Sequence, residues 1–200
     1  MMEQVIITIS REYGSGGHDI GEALAKKLGL PFYDHNILDQ IAEKKGLDVS
    51  TLNKYDETPR RRLMSRTVRG YSNSPEEAVA TLQFNFLRDL AQKGESFVVV
   101  GRCAETVLAE IDNLIPIFIY GDQDVKLARI IKLRGMSEHE ALAAMKRHDS
   151  HRRNYHNHFC ECQWGDPQTY DLCVNSSALG VEATIDFLYD YVKRRTHNMQ

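Results

Sequence analysis

Long apolar runs are missing from this chain of 200 residues. The longest cover residues 5–9, 97–100 and 114–120, far short of the about 20 residues that cross a bilayer, so we expect no membrane partner. Four cysteines are too few for a disulfide scaffold, which favours a reducing, cytoplasmic protein. The first residues carry no basic, apolar leader, and no secretory signal is expected. The formal net charge of -3 gives no electrostatic reason to expect nucleic acid as a partner.

Short apolar and β-branched runs are present instead, and helical patterns separate them. The runs predict strands at residues 5–10, 32–34, 96–100, 115–120 and 171–174. Strands that alternate with helices indicate an α/β protein with a mainly parallel sheet flanked by helices. In such sheets ligands bind beyond the carboxyl ends of the strands. The segment from 46 to 73 shows no clear period, and we expect loops there with at most a short helix.

Capping signals and apolar stripes define the helices between these strands. Helix starts are predicted at Ser74 with Glu77, at Asp122, and at Ser137 with Glu140. The side chains expected to face the core are Ile20, Ala23, Leu24 and Leu28; Val79, Leu82, Phe86 and Leu90; Val125, Ala128 and Ile131; and Val181, Ile185, Leu188 and Val192.

A glycine-rich loop lies between the first strand and the first helix. It contains Gly14, Ser15, Gly16 and Gly17, more glycine than a tight turn requires. Glycines let the backbone approach an anion closely, and the amides of a helix N-terminus favour phosphate. The sequence therefore predicts phosphate binding at these four residues with His18 and Asp19, the alternative being a plain strand-to-helix turn.

This loop does not match the standard P-loop, G-x-x-x-x-G-K-[ST]. Arg11 stands at the first glycine position, Gly17 at the lysine position and His18 at the hydroxyl position. Arg11 is predicted to supply the missing cation, unless it only pairs with neighbouring Glu12. Imidazole is a poor ligand for Mg²⁺, so Asp19, or Asp122 through water, suits that ion better.

Several motifs in order along the chain resemble the cytidylate kinase-like family, relatives of the P-loop nucleoside monophosphate kinases. They are ITISREYGSGGHDIG at 7–21, LPFYD at 30–34, VVVGR at 98–102, IFIY at 117–120 and WGDPxxYDLxxN at 164–175. The resemblance implies a P-loop-type sheet as one domain, with a core of residues 1–34, 96–145 and 168–200. It also implies an acceptor-binding insertion at 35–95 and a lid at 146–167 that closes over the phosphates.

The same resemblance implies ATP as phosphate donor, Mg²⁺ as cofactor, small nucleotides as substrates, and roles for particular residues. Asp34 and Arg102 would contact the acceptor nucleotide, with helix capping and a pair with Glu105 as their respective alternatives. The lid arginines would clamp phosphates, and the loop after the last strand would lie near the donor base. These last residues are Arg147, Arg152 and Arg153 in the lid, and Asn175 and Ser176 after the strand.

Two clusters leave their function open. Arg66 belongs to a basic stretch that could recognise a phosphate-bearing acceptor or a larger anion, or be a solvated loop; the others are Lys54, Arg60, Arg61, Arg62 and Arg69. The second cluster, His148, His151, His156, His158, Cys160 and Cys162, could hold structural zinc if it formed a strand, but its members would scatter on a helix.

The function predicted from these residues is transfer of the γ-phosphate of ATP to a nucleoside monophosphate such as CMP, or to a similar small acceptor. Two alternatives remain. One is a regulatory nucleotide-binding protein that lost the P-loop lysine, and the other is a metal-stabilised interaction module.

Overall fold

The computed structural model describes residues 4–46, 48–56, 67–68, 71–72 and 74–197. Its main sheet is entirely parallel and has five strands in the order β2-β5-β1-β6-β7. These strands are β1 Ile6–Arg11, β2 Phe32–Tyr33, β5 Phe97–Val100, β6 Leu114–Tyr120 and β7 Leu172–Asn175. A short antiparallel pair, β3 Thr67–Val68 and β4 Tyr71–Ser72, stands apart from it.

Helices cover both faces of the sheet, because its central strands are apolar on both sides. Ile6 and Phe97 face a core built with α2 and α4, while Ile7 and Val98 face α1 and α9. The helices are α1 Gly17–Leu28, α2 Ile37–Lys45, α3 Val49–Asn53, α4 Pro75–Gln92, α5 Ala104–Val107, α6 Gln123–Arg134, α7 Glu138–Phe159, α8 Ser176–Leu179 and α9 Val181–His197, with a 3₁₀ turn at Pro167–Thr169. The predicted α/β class with a parallel sheet flanked by helices is confirmed.

Most predicted elements lie within one or two residues of their expected positions. The apolar stripes of α1, α4 and α9 pack inward. Leu24 and Leu188 of these stripes are fully buried, as is Leu87 of α4. Ser137 and Glu140 form the predicted capping box of α7. In the described part of the chain, no helix has the length and apolar character needed to span a membrane.

Three local predictions are wrong. The α4 helix begins at Pro75 as expected, but the Ser74 hydroxyl bonds to Glu76 and no capping box with Glu77 forms. The α6 helix begins after Asp122 as expected, but the Asp122 side chain accepts a hydrogen bond from Asn175 Nδ2 at 2.9 Å and makes no capping hydrogen bond to α6. Of the expected inner stripe of α6, Ile131 packs inward, but Val125 and Ala128 are exposed, and the buried residues are Lys126 and Ile130.

This difference in the inner face of α6 has a physical cause in the residue that it buries. Val125 is 46% exposed, whereas Lys126 is 8% exposed and Ile130 is buried. Lys126 Nζ lies 2.6 Å from a carboxylate oxygen of Glu12, which follows β1. A buried cation needs such a partner, and this ion pair turns α6 so that Lys126 points inward.

The segments predicted as insertion and lid contain regular structure where they are described. Residues 35–95 include α2, α3, the β3–β4 pair and α4. Residues 146–167 begin inside α7, which continues without a break to Phe159. The division into core, insertion and lid stays a prediction.

Candidate phosphate-binding site

The loop between β1 and α1 has a backbone that requires glycine at two positions. Gly14 and Gly16 have φ angles of 85° and 79°, in the left-handed region. A Cβ on Gly14 would lie 2.8 Å from Cδ1 of Ile130, and one on Gly16 would lie 3.2 Å from Val181. The loop is therefore packed tightly between α6 and α9, which fixes its shape.

The N-terminus of α1 opens from this loop. Ser15 Oγ donates to the carbonyl of Glu12 at 2.9 Å and accepts from the amide of Gly17 at 3.3 Å. The amides of His18 and Asp19 precede the first intrahelical bond, and none of the described residues provides an acceptor for them. A cavity of about 260 Å³ borders these residues. Such N–H groups, with the positive end of the helix dipole, form a site that favours an anion.

Arg11 takes the space that a side chain at position 17 would need. A Cβ on Gly17 would lie 2.5 Å from Cβ and 3.0 Å from Cγ of Arg11. Arg11 is the last residue of β1, and its side chain lines the loop cavity. The carboxylate of Glu12, the partner considered above for Arg11, accepts instead from Lys126 Nζ and from the Gly121 amide at 3.3 Å.

The α7 helix packs its middle turns against the same loop. Asp149 accepts a hydrogen bond from the Tyr13 amide at 2.7 Å, and Arg152 Nη1 donates to the carbonyl of Arg11 at 3.2 Å. The rings of Tyr13 and His148 stack with centroids 4.2 Å apart. Burial raises the pKa of Asp149, although the Tyr13 amide and Arg152 oppose that shift. One amide of the loop, that of Tyr13, is thus already hydrogen-bonded to a carboxylate.

Only some of the predicted lid arginines reach the cavity. Arg152 lines it, and its side chain is 18% exposed. Arg147 is exposed and is not among the lining residues, and exposed Arg153 lies over the Trp164 ring at 5.5 Å.

Two cations that the sequence analysis missed complete the cavity wall. Arg129 and Arg134 of α6 both line it, and Arg129 forms an ion pair with Asp19. They reach the loop because Ile130 packs over Gly14. No motif or spacing in the sequence marks them.

Asp34 follows β2 and lies between two imidazoles. Its Oδ2 is 2.7 Å from His18 Nε2 and 2.8 Å from His35 Nδ1, while its Oδ1 accepts from the Asn36 amide at 2.9 Å. Burial favours the neutral acid, but the hydrogen bonds from Asn36 and His18 and the charge of His35 together lower the pKa of Asp34. The turn before α2 thus holds the Asp34 carboxyl at the edge of the sheet where the glycine-rich loop lies.

Arg102 lies in a strained turn after β5. Its φ is 65° and that of Cys103 is 52°, a conformation that L residues adopt rarely and that clusters at functional sites. The side chain is 3% exposed and donates to Asp56 Oδ2 at 2.8 Å. Glu105, the alternative partner, lies 2.8 Å from His156 instead. A small cavity lined by Arg11, Arg102 and Arg152 continues from the loop toward this turn.

The two predicted donor-base residues support the backbone near the loop. Ser176 Oγ contacts the carbonyls of Ser15 at 2.7 Å and Tyr120 at 3.0 Å. Asn175 binds Asp122 and also caps α8 by accepting from the Ser177 amide at 3.0 Å. The Ser176 hydroxyl is thus held against protein carbonyls at the end of β7.

Of the histidines and cysteines at 148–162, four lie along α7, and only His156 and Cys160 are seen in contact among the described residues, so they do not form a set of three or more close metal ligands. His156 bonds to Glu105, and His158 lies 3.3 Å from Glu77. Of the described residues, the group of three or more metal-ligating side chains whose ligand atoms lie close together is His18, Asp34 and His35. Arg66, with Arg60, Arg61, Arg62 and Arg69, lies outside the described residues.

A directly ligated Mg²⁺ ion does not fit the described side chains at the loop. Mg²⁺ demands oxygen ligands, and His18 offers nitrogen where a P-loop offers a hydroxyl. Asp19 is bonded to Arg129 and Asp122 to Asn175. We therefore assign no step of a reaction to an Mg²⁺ ion bound by these residues.

Comparison with known proteins gives the fold and then the family. The fold is that of P-loop kinases: a shikimate kinase from Bacteroides thetaiotaomicron superposes with a TM-score of 0.56 at 17% identity, covering 94% of this chain and 98% of that one. A sugar kinase from a Janibacter species gives 0.55 at 12% identity, with 95% of each chain covered.

The chain belongs to the cytidylate kinase-like family, whose model matches residues 6–178. An uncharacterized protein from Eubacterium ventriosum is 36% identical, with a TM-score of 0.76 over 95% of this chain and 99% of that one. None of the curated proteins matches the chain.

Proposed function

We propose that this protein is an ATP-dependent phosphotransferase that moves the γ-phosphate to a nucleoside monophosphate such as CMP, or to a similar small acceptor. Membership of the cytidylate kinase-like family supports the class of reaction. The observation that carries the proposal is the exchange at the loop, where Arg11 fills the space beside Gly17. A cation thus remains next to the helix N-terminus although the P-loop lysine is absent.

The donor phosphates would bind the loop and the start of α1. Amides of His18 and Asp19 would donate to phosphate oxygens, and the guanidiniums of Arg11 and Arg152 would offset the charge that spreads over the transferred group. Arg129 and Arg134 extend the positive wall of the same cavity. Mg²⁺ would arrive with the nucleotide and would offset part of the phosphate charge there.

The acceptor would lie across the cavity from the donor, near the ends of β2 and β5. Arg102 is buried and bonded to Asp56; an anionic acceptor would take the place of that carboxylate, and the guanidinium suits bidentate contact with phosphate or a base edge. Asp34 would orient an acceptor hydroxyl or amine. Movement of the segment at 146–167 over both substrates would exclude water, so that transfer outcompetes hydrolysis.

An ATP-consumption screen tests the proposal. The full-length protein is incubated with ATP and Mg²⁺, and each nucleoside monophosphate, shikimate, gluconate and other small alcohols are added separately. We expect ADP release that depends on one acceptor and falls at least about 100-fold in Arg11→Ala, the loss typical of removing one charge-stabilising donor. Lys132→Ala, on the exposed face of α6, is the control. Undiminished turnover in Arg11→Ala would refute the role of that residue.

A regulatory nucleotide-binding protein is the second candidate, because Asp149 already occupies the Tyr13 amide. Such a protein would gain thermal stability with ATP or ADP by mass action, yet it would release no ADP with any acceptor. The two candidates are thus separated by one pair of measurements, a melting curve and a turnover assay.

A further inference from the structure

Three ligand-type side chains meet where the loop helix faces the end of β2. One ligand atom each from His18, Asp34 and His35 lies within 4.8 Å of the ligand atoms of the other two. Both imidazoles contact the same carboxylate oxygen, at 2.7 and 2.8 Å. One carboxylate oxygen with a ring nitrogen on either side is a set of three ligand atoms that can face one metal ion.

The donor set selects the kind of ion. Two imidazole nitrogens and one carboxylate oxygen suit Zn²⁺ and neighbouring first-row ions, and sites with three protein ligands keep one position open for water or substrate. Bonds of about 2.0–2.2 Å to the ion would separate the ligand atoms by about 3.3–3.5 Å in a tetrahedral site. The present contacts of 2.7 and 2.8 Å need to open by about 0.5–0.8 Å, a rotation that the exposed side chains of His18 (46%) and His35 (73%) allow.

The surroundings fix the ligands as a metal site requires. Asp34 is 7% exposed, and the Asn36 amide holds its other oxygen, so that Oδ2 is directed at the two rings. His18 presents its second nitrogen, Nδ1, to Asp19 Oδ1 at 3.5 Å. Metal-ligating histidines almost always offer their second ring nitrogen to a carboxylate, a backbone carbonyl or water, which fixes the tautomer and strengthens the ligand, and Asp19 is placed to be that partner. The edge of the Phe32 ring packs against His18 with centroids 5.5 Å apart.

We propose that His18, Asp34 and His35 bind one first-row divalent transition ion of the Zn²⁺ type. The ligand atoms are Nε2, Oδ2 and Nδ1, and Asp19 is the positioning residue behind His18. His18 also lines the loop cavity, so the ion would lie beside the candidate phosphate site, where Asp34 follows β2. Its open position can take water or an anionic oxygen.

Metal binding to the full chain tests this site without any nucleotide, so the result is independent of the proposed phosphotransfer. Protein stripped with chelator is titrated with Co²⁺, followed by the visible absorption of the low-coordinate ion, and with Zn²⁺ by calorimetry. We expect one ion per chain and no displacement by excess Mg²⁺. His18→Ala and His35→Ala each lose at least about 100-fold in affinity, and Asp19→Asn loses about 10-fold.

His139→Ala, which removes an exposed histidine of α7, is the matched control and keeps wild-type affinity. Circular dichroism of each variant confirms that it is folded. The proposal is overturned if Co²⁺ binds no more tightly to the wild type than to His18→Ala, if Mg²⁺ displaces it at equal concentration, or if His35→Ala binds as the wild type does.

Discussion

Arg11 and Gly17 share one space: a Cβ on Gly17 would lie 2.5 Å from Cβ of Arg11. The two residues come from different elements, the end of β1 and the first turn of α1. The contact involves the Cβ atom of Arg11, so it cannot be relieved by moving the guanidinium alone. A lysine at 17 and an arginine at 11 therefore exclude each other, which explains why the loop departs from the P-loop pattern at both positions together.

The first prediction is that restoring the P-loop lysine alone damages the protein. Gly17→Lys should lower the free energy of unfolding by roughly 2 kcal/mol or more, because overpacking displaces Arg11. Arg11→Gly combined with Gly17→Lys should recover stability and ATP affinity together, since the lysine then has room. Urea unfolding and ATP titration of the two variants measure this. A stable, fully active Gly17→Lys single variant would contradict it.

The second prediction concerns the tight fit of the loop at Gly14. Gly14→Ala should cost about 2–4 kcal/mol of unfolding free energy, because a left-handed φ and a contact with Ile130 at 2.8 Å act together. Gly94→Ala is the matched control, since Gly94 has a φ of 76° but open space around it, and should cost only about 1–2 kcal/mol. Chemical denaturation compares them; equal losses would show that packing at Gly14 is unimportant.

The sequence allowed the sheet and its flanking helices to be predicted because their signals are local. The β-branched run of β1 is buried whole, and Gly29 ends α1 with a φ of 70°. The α2 helix is not among the helices predicted from periodicity, although Ile37, Leu38, Ile41 and Ala42 form a buried apolar stripe along it. Its start was implied only by Asp34 in the resemblance to the kinase family.

The parts that could not be predicted depend on contacts between distant elements. A lysine on an amphipathic helix is normally placed on the solvent side, and only the Glu12 carboxylate, 114 residues away, explains why Lys126 is buried. Arg129 reaches the cavity because its neighbour Ile130 packs over Gly14, another contact between distant elements. One signal in the sequence could have grouped His18 with His35, since each follows the carboxyl end of a strand of one parallel sheet. The order of the strands in that sheet, with β5 between β2 and β1, is not evident from the sequence.

The third prediction follows from the Asp149 carboxylate on the Tyr13 amide. A negative charge at the phosphate loop opposes the binding of nucleotide, so Asp149→Asn should bind ATP several-fold more tightly while losing some stability. The effect should shrink at low pH, because burial raises the pKa of Asp149 and protonation removes the charge from the wild type as well. Calorimetric ATP titration at two pH values measures this.

Glu138→Gln is the control for this third prediction, because Glu138 is an exposed acid at the start of the same helix. It removes one negative charge without touching the loop. An equal gain in ATP affinity for Asp149→Asn and Glu138→Gln would mean that only the net charge matters, and the hydrogen bond to Tyr13 would then play no part in nucleotide binding.

The fourth prediction is that the pKa values of two histidines of α7 are shifted in opposite directions. Burial opposes the charge on His156, but its hydrogen bonds and charge interactions with Cys160 and Glu105 outweigh it and raise its pKa to about 10. Burial, with the nearby charges of Arg152 and Arg147, lowers the pKa of His148. Nuclear magnetic resonance of the imidazoles at pH 8 should therefore find His156 protonated and His148 neutral.

The sign of the stability effect follows from the raised pKa of His156. Because the folded value lies above the ordinary 6.5, the contribution of its charge is complete below pH 6.5 and is lost as the pH rises through about 10. Glu105→Gln should lower the pKa of His156 and reduce the free energy of unfolding at pH 6.5, because it removes a partner from a buried charge. Glu110→Gln, an exposed acid near the end of α5, should change neither quantity. If His156 loses its proton before His148, or if both glutamine variants behave alike, the pair with Glu105 does not hold that charge.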